Sequence, residues 1–191
     1  LDTARAEGEA MDLNHGLPFV RPMRMYAGTY EQLAGAEVVV ITAGANQRPG
    51  ETRLDLLQRN AAVFRQIVPQ VVAAAPDSII IIATNPVDIL TTISDQIAGL
   101  APGRVIGSGT ILDTARFRYM LGEYYNVDPR SVHAYIVGEH GDSELALWSL
   151  ANIAGVRLHD FVGANGRGYD EAALHDIFEQ TRTAAYEIIK R

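Results

Sequence analysis

Two runs of β-branched residues, each followed by a polar turn, constrain the fold of this chain most strongly. EVVVITA occupies residues 37–43 and SIIIIAT occupies residues 78–84. Continuous apolar runs of this length are typical of strands buried on both faces, as in a parallel sheet. Apolar residues at helical spacing follow each run, over residues 54–75 and 87–98. Strands alternating with helices predict an α/β fold with right-handed crossovers.

The remaining pattern extends this alternation in both directions. We expect helices over residues 1–15, 112–125 and from about Tyr169, a helical turn over 30–33, and strands over 104–106 and 132–137. Ligands bind at the carboxyl ends of strands in such sheets, and these ends carry Gly44, Asn85, residues 107–109 and His140. A dinucleotide fold should open with a strand followed by G-x-G-x-x-G, which is absent here. Because the chain starts and ends inside predicted helices, we favour a missing first unit over a different fold.

Charge and composition exclude several classes of function. The net charge is −7, from 16 basic and 23 acidic residues, so nucleic acid is not an expected partner. The absence of cysteine excludes disulfides and cysteine-based zinc sites, and no metal is expected. No apolar run approaches the ~18 residues of a membrane span, and we expect a cytoplasmic protein without membrane contact. The acidic field would repel an anionic substrate, so a local arginine must capture one.

A histidine between glycines is the leading candidate for chemistry. His140 lies in the turn GEHGDS after a predicted strand, and a histidine titrates near neutral pH, so it can give and take a proton. Asp113 and Arg116 are three residues apart on one helix face, where they could orient a histidine and bind a carboxylate. Taken singly, a loop histidine without a role and a first-turn aspartate are the more ordinary interpretations.

Four motifs in order carry a resemblance that covers essentially the whole chain. ITAGANQRPGETRLDLLQRN, ATNPVD, GSGTILDTARFR and GEHGDS resemble the lactate and malate dehydrogenase family, and most closely its bacterial lactate-specific members. The resemblance implies NAD as cofactor and a reversible hydride transfer between L-lactate and pyruvate. It also implies the remainder of a Rossmann-type sheet over residues 1–108, followed by part of an α+β catalytic domain over residues 109–191.

The same resemblance gives roles to residues at matching positions. His140 corresponds to the catalytic acid and base, and Asp113 to its orienting carboxylate. Arg116 corresponds to the arginine that binds the substrate carboxylate, and Arg53 to the loop arginine that polarises the reacting carbonyl. Asn85 corresponds to the asparagine beside the substrate oxygen and the nicotinamide.

Cofactor contacts follow in the same way. Gly44 and Ala45 match the backbone that approaches the pyrophosphate. Weaker contacts match Arg5, Tyr30, Ala83, Thr84 and Ser108. The glycine motif and the acidic residue for the adenine ribose are absent from this sequence, so a polypeptide of these residues alone should bind NAD poorly.

One loop position separates lactate from malate dehydrogenases. Members that act on malate carry an arginine there, whereas counting back from Arg53 places Gln47, and not the adjacent Arg48, at this position. A neutral amide cannot neutralise the second carboxylate of oxaloacetate, and an unpaired buried charge is costly. Gln47 therefore favours pyruvate. A malate dehydrogenase with an unusual loop and a non-catalytic relative remain the alternatives.

Two residues outside the predicted active site point to regulation. Arg118 lies on another face of the helix that carries Arg116, and His133 begins the strand that leads to His140. In the bacterial enzymes that this chain resembles, matching residues bind fructose 1,6-bisphosphate across a subunit interface. The resemblance therefore implies a homo-oligomer, dimer or tetramer, with this sugar bisphosphate as an allosteric effector. An exposed arginine and a strand-end histidine without any effector are the alternative.

Overall fold

A computed structural model of the chain describes residues 2–45, 50 and 52–191, with Arg53 described by its backbone alone. The helices are α1 (Thr3–His15), α2 (Arg53–Ala74), α3 (Val87–Ala98), α4 (Ile111–Tyr125) and α5 (Glu171–Lys190). The strands are β1 (Val38–Ile41), β2 (Ile79–Ile82), β3 (Val105–Gly107), β4 (Val132–His133), β5 (Ile136–Val137), β6 (Leu145–Ala146), β7 (Asn152–Ile153) and β8 (Val156–Arg157). Short 3-10 turns occupy Leu17–Phe19, Tyr30–Leu33, Pro129–Ser131, Trp148–Leu150 and Leu158–Asp160.

The first half of the chain contains the predicted parallel sheet. Its strands lie in the order β1-β2-β3, with Ile80 paired to both Val39 and Val105. Helices α2 and α3 pack against each other and against one face of the sheet, where Phe64 and Leu90 are fully buried. The β-branched residues of the strands and the apolar stripes of the two helices thus form one core.

Strand β1 is not buried on both faces, which corrects the prediction for residues 37–43. Val39 and Ile41 are buried against the helices, whereas Val38 and Val40 are 49% and 55% exposed. Successive side chains of a strand point to opposite faces, and α2 and α3 cover only one of them. A continuous run of apolar residues therefore did not show whether helices cover one face of the strand or both.

The predicted strand over residues 132–137 is divided into two strands. The first of these, β4, pairs antiparallel with β7, while β5 pairs antiparallel with β6. The two partner strands are separated by the turn Trp148–Leu150, so the segment has to exchange partners along its length. The division matters because β5 and β6 form the hairpin that carries His140 in its loop.

A second core lies between α4, α5 and the antiparallel strands. Phe117, Leu121 and Tyr125 of α4 are fully buried there, together with Ile153 and Leu174. Helix α5 begins slightly later than predicted. The Asp170 carboxylate caps it by accepting the backbone N–H groups of Ala172 and Ala173. Across the described ranges, none of the helices combines the length and apolar character needed to cross a membrane.

Candidate active site

Asp113 lies at the centre of the charged site. It occupies the first turn of α4, which begins just after β3, and it is 2% exposed. One carboxylate oxygen, Oδ2, lies 2.6 Å from His140 Nδ1, and the other, Oδ1, accepts a hydrogen bond of 3.1 Å from Arg116. The predicted trio of aspartate, histidine and arginine is therefore in direct contact.

His140 reaches this position from a hairpin loop. It was predicted at the carboxyl end of a parallel strand, but it follows the antiparallel strand β5. Gly138 and Gly141 adopt φ values of +97° and +134°, which side chains rarely tolerate, and they shape the loop on either side of the histidine. Its own backbone N–H donates to Asp88 Oδ2 over 2.9 Å.

Asp88 was missed by the sequence analysis. It belongs to the first turn of α3, in the motif ATNPVD that was used only for the resemblance. Its bond to the His140 backbone joins α3 of the first half to the β5–β6 hairpin of the second half. A sequence signal existed, since the aspartate follows Pro86 at a helix start beside the predicted ligand edge, but that position has an ordinary interpretation as first-turn electrostatics.

The contact between Asp113 and His140 fixes how the ring can act. A carboxylate that accepts from Nδ1–H selects the tautomer in which Nε2 is the unprotonated nitrogen. It also stabilises the cation formed when Nε2 takes up a proton. The arrangement therefore suits a general acid and base that exchanges protons through Nε2.

Arg116 shares the carboxylate of Asp113. The arginine side chain is 21% exposed, and NH1 makes the contact with Asp113. A guanidinium offers five N–H donors, so this contact leaves others for a bound carboxylate. Its partly exposed position, on the same carboxylate that contacts His140, fits a group that binds an anion at the site.

Glu144 is a third carboxyl group at this site and was also missed. It is 3% exposed, and its Oε1 has no hydrogen-bond partner within the described part of the chain. Burial raises its pKa, and the negative charge of Asp113 raises it further. A hydrogen bond with the backbone of Gly141 lowers this pKa, as do the charges of His140 and Arg182. Glu144 follows GEHGDS directly, so its sequence position alone could have drawn attention to it.

Asp113, His140 and Glu144 also form a set of donors that could hold a metal ion. Their ligand atoms all lie within 4.8 Å of one another. Ligands bound at about 2.1 Å around one cation are separated by roughly 3 Å or more. The 2.6 Å contact between Asp113 and His140 is shorter than that and has the length of a charge-assisted hydrogen bond. The geometry therefore favours a shared proton.

A neutral network organises the carboxyl edge of the parallel sheet. Asn60 of α2 is 1% exposed, accepts the N–H of Ala45 over 2.8 Å and donates to the Asn85 carbonyl over 3.4 Å. The Thr84 hydroxyl donates to the Ala43 carbonyl. A Cβ on Gly44 would lie 2.7 Å from Thr84 Cγ2, so only glycine allows the two segments to approach this closely. Asn60 was missed although it closes the motif ITAGANQRPGETRLDLLQRN, which was used only for the resemblance.

The other predicted cofactor residues fall into two groups. Ala83 and Ser108 follow β2 and β3 at the same edge, where their N–H groups extend the ladder to the carbonyls of Ile41 and Ile82. Tyr30 packs beside the first core from its 3-10 turn. Arg5 is exposed on α1, 3.7 Å from Glu9, and no hydrogen bond of the described residues links it to the sheet edge.

Two of the predicted specificity and catalytic groups cannot be placed. Gln47 lies outside the described residues, and of Arg53 only the backbone is described, as the first residue of α2. Thr52 caps that helix by accepting the N–H of Asp55. The start of α2 is thus defined, while the predicted roles of Gln47 and Arg53 remain predictions.

The predicted effector residues lie on two packed elements of the second half. Arg118 of α4 is half-buried and donates from NH2 to the Pro129 carbonyl over 3.4 Å, while its Nε has no partner within the described ranges. His133 is exposed at the end of β4, which packs against α4. No described contact joins the two side chains.

The chain was compared with known proteins. Residues 1–107 match the family model "lactate/malate dehydrogenase, NAD binding domain", and residues 110–191 match "lactate/malate dehydrogenase, alpha/beta C-terminal domain". The chain is 55% identical over all its 191 residues to L-lactate dehydrogenase of Synechococcus sp. (strain JA-3-3Ab), of which it covers 61%. It is 54% identical to L-lactate dehydrogenase of Priestia megaterium, of which it covers 60%.

Solved structures agree in fold. A lactate dehydrogenase enzyme from a Medee basin deep-sea metagenome library superposes with a TM-score of 0.92 at 47% identity. A minor L-lactate dehydrogenase from Enterococcus mundtii superposes with a TM-score of 0.91 at 46% identity. The comparison covers 100% of this chain and 61% of each of those chains. The chain therefore spans about three fifths of the length of the relatives it matches.

Proposed function

Because this chain belongs to the lactate/malate dehydrogenase family, we propose that the full-length protein is an NAD-dependent L-lactate dehydrogenase. The observation that carries the proposal is the 2.6 Å contact between His140 Nδ1 and the buried Asp113 carboxylate, with Arg116 on the other oxygen. This combination holds a proton-exchanging group and an anion-binding group on the two oxygens of one carboxylate. The reaction that we propose needs both.

In the direction of lactate oxidation, His140 takes the hydroxyl proton at Nε2 while hydride leaves the lactate carbon. In the reverse direction, protonated His140 donates to the oxygen of pyruvate. Asp113 holds the ring and stabilises its cation, and Arg116 binds the substrate carboxylate. Arg53 polarises the carbonyl, and Asn85 lies beside its oxygen. The nicotinamide cofactor, when bound, supplies the hydride-transfer chemistry.

The carboxyl edge of the sheet is where these residues would hold NAD. Gly44 presents no side chain there, and a Cβ at this position has no room. That fits the close approach of backbone and pyrophosphate at such an edge. We propose Gly44, Ala45, Thr84 and Asn85 as the main contacts. Ala83, Ser108, Tyr30 and Arg5 are proposed as weaker ones.

Pyruvate is the proposed substrate because Gln47 brings no charge for a second carboxylate. A malate dehydrogenase remains the second candidate, since both activities occur in the family. The test compares kcat/KM for pyruvate and oxaloacetate with NADH in the full-length protein. We expect pyruvate to be preferred and Gln47→Arg to shift the ratio toward oxaloacetate. A preference for oxaloacetate in the unaltered protein would instead establish the second candidate.

We also propose that the protein is a homo-oligomer regulated by fructose 1,6-bisphosphate at Arg118 and His133. Two copies of these cations facing each other across a two-fold axis would repel, and a bisphosphate would remove the repulsion. Arg118 is half-buried and its Nε has no partner among the residues that the structure describes, which supports a role that needs fixed orientation. Arg118→Gln should abolish any lowering of the pyruvate KM by the bisphosphate while leaving basal turnover intact.

Two coarser proposals complete the assignment. The division into a dinucleotide-binding part over residues 1–108 and a catalytic part over residues 109–191 is supported by the two separate cores. A cytoplasmic location is supported by the absence of cysteine, which suits a reducing compartment without requiring one. Limited proteolysis tests the division into two parts, and fractionation of the native cells tests the location.

A further inference from the structure

The acid–base pair has a buried neighbour that the proposed mechanism does not use. Glu144 lies at the end of the hairpin loop that carries His140, next to β6. One atom each of Asp113, His140 and Glu144 forms a cluster within 4.8 Å. Asp113 and Glu144 are 2% and 3% exposed, so solvent screens their interaction weakly. The site therefore contains two buried carboxyl groups beside an imidazole whose side chain is 24% exposed.

We propose that Glu144 is a positioning residue that controls the charge of the Asp113–His140 pair. Its carboxylate and the protonated ring of His140 carry opposite charges in one cluster, so each favours the charged form of the other. Glu144 thereby stabilises the protonated histidine that reduces pyruvate. The proposal rests on the proposed function, because it takes His140 as the proton donor.

Glu144 and Asp113 lie close enough for their charges to interact. Two carboxyl groups that share a buried site each oppose the ionisation of the other. Asp113 has two donors, from His140 and Arg116, whereas Glu144 Oε1 has no partner among the described residues. The pKa of Glu144 is accordingly raised, by burial first and by Asp113 second.

Other groups around Glu144 favour its ionised form. They are His140 in the hairpin loop, Arg182 on α5 and the backbone of Gly141. Arg182 also donates from NH1 to the Asp142 carbonyl over 2.9 Å, which holds α5 against the loop. A proton on His140 adds a positive charge to this set, and that charge and the Glu144 carboxylate stabilise each other.

Glu144→Gln provides the central test, because glutamine keeps the shape of the side chain and cannot ionise. The matched control is Glu139→Gln, which removes an equal charge from an exposed position in the same loop. In the full-length protein, ring titration of His140 is followed by NMR with 15N-labelled histidine, assigned through His140→Gln. The pH profile of kcat/KM for pyruvate reduction is measured in parallel.

Loss of Glu144 should move both the ring titration and the profile toward lower pH by about half a unit to one unit. The control should move them by less than about 0.2 units, since an exposed charge is screened. Glu144→Ala also lacks the carboxyl group and carries the same expectation, so a failure of one variant to fold leaves the test in place. Unchanged midpoints in whichever Glu144 variant folds would overturn the proposal.

Failure of this proposal can be distinguished from failure of the proposed function. The NMR titration needs no turnover, so a shifted His140 in a protein that does not reduce pyruvate would overturn only the function. Pyruvate reduction with an unmoved titration would overturn only the role of Glu144.

Discussion

Two regions of the molecule differ in the forces that hold each of them together. One is the carboxyl edge of the parallel sheet. The other is the charged cluster of Asp113, His140, Arg116 and Glu144, the Asp113 corner. At the sheet edge, Asn60 joins Ala45 and Asn85 through neutral hydrogen bonds. At the corner, Asp113 bonds to two potential cations and faces Glu144. A neutral network gives a surface whose shape does not depend on pH. A buried charged cluster gives a site whose state changes with each proton.

Among the described residues, a hydrogen bond links the histidine loop to the first half of the chain. Asp88, in the first turn of α3, accepts the backbone N–H of His140 over 2.9 Å. Because it binds the backbone, it can fix where the histidine stands without competing for its ring. The comparison predicts that changes in the corner alter chemistry and pH dependence, whereas changes at the edge alter stability and cofactor affinity.

The largest expected effect comes from Asp113→Asn. An amide cannot stabilise the histidine cation and permits the wrong tautomer, so kcat should fall by roughly 10³ to 10⁴-fold. NADH affinity, measured by fluorescence titration, should change little because the sheet edge is intact. Asp128→Asn is the control, since Asp128 is exposed beyond α4 and paired with Arg130. Equal losses in the two variants would contradict the distinction between corner and surface.

Arg116→Lys is expected to have the next largest effect. Lysine keeps the positive charge but loses the planar fork, so the KM for pyruvate should rise by about 10 to 100-fold. Arg130→Lys makes the same replacement at an exposed ion pair and should leave the KM unchanged. Steady-state kinetics with varied pyruvate measure both. A normal KM in Arg116→Lys would remove Arg116 from the substrate site.

Asn60→Leu tests the neutral edge. It removes a buried amide that satisfies the N–H of Ala45, so the free energy of unfolding should fall by about 1–3 kcal/mol. The midpoint of the pH profile should stay at its original value. Gln70→Leu, at an exposed position of the same helix, should change stability by less than about 0.5 kcal/mol. Urea unfolding gives the energies, and a shifted pH profile in Asn60→Leu would show that the two regions are not independent.

The smallest effect concerns the pH dependence of stability at Glu144. Its pKa is raised from 4.5 in the folded protein, so its contribution to stability is complete below about pH 4.5 and is lost as pH rises through the folded value. Glu144→Gln removes that loss. The variant should therefore gain stability relative to the unaltered protein as pH increases from 4 to 7. Urea unfolding at each pH measures this, and a stability difference that stays constant between pH 4 and 7 would contradict it.

Features of the fold and site that depend on neighbouring residues could be predicted from the sequence. Features that depend on contacts between distant residues could not. Helix α3 was predicted at both ends because its apolar spacing and the preceding proline are local signals. The contact between His140 and Asp113 was predicted through motifs. Exchange of strand partners after His133 depends on distant residues, and no local pattern reports it.

The missed site residues share one property. Asn60, Asp88 and Glu144 each act on a group at least several residues away in sequence, through a bond or charge that only the folded chain creates. Taken singly, each of these residues is a polar side chain of a kind that is common on a helix or after a turn. The exposed face of β1 was missed for a related reason, because a run of valines does not reveal how many layers cover it.

The central claim is that His140, held by Asp113, transfers the proton. Stopped-flow oxidation of NADH by pyruvate in the full-length protein tests it directly by comparing the unaltered protein with His140→Gln. We predict that the hydride-transfer rate falls by about 10² to 10⁴-fold, with NADH affinity retained. A rate within a few-fold of the unaltered protein, at equal NADH affinity, would contradict the account.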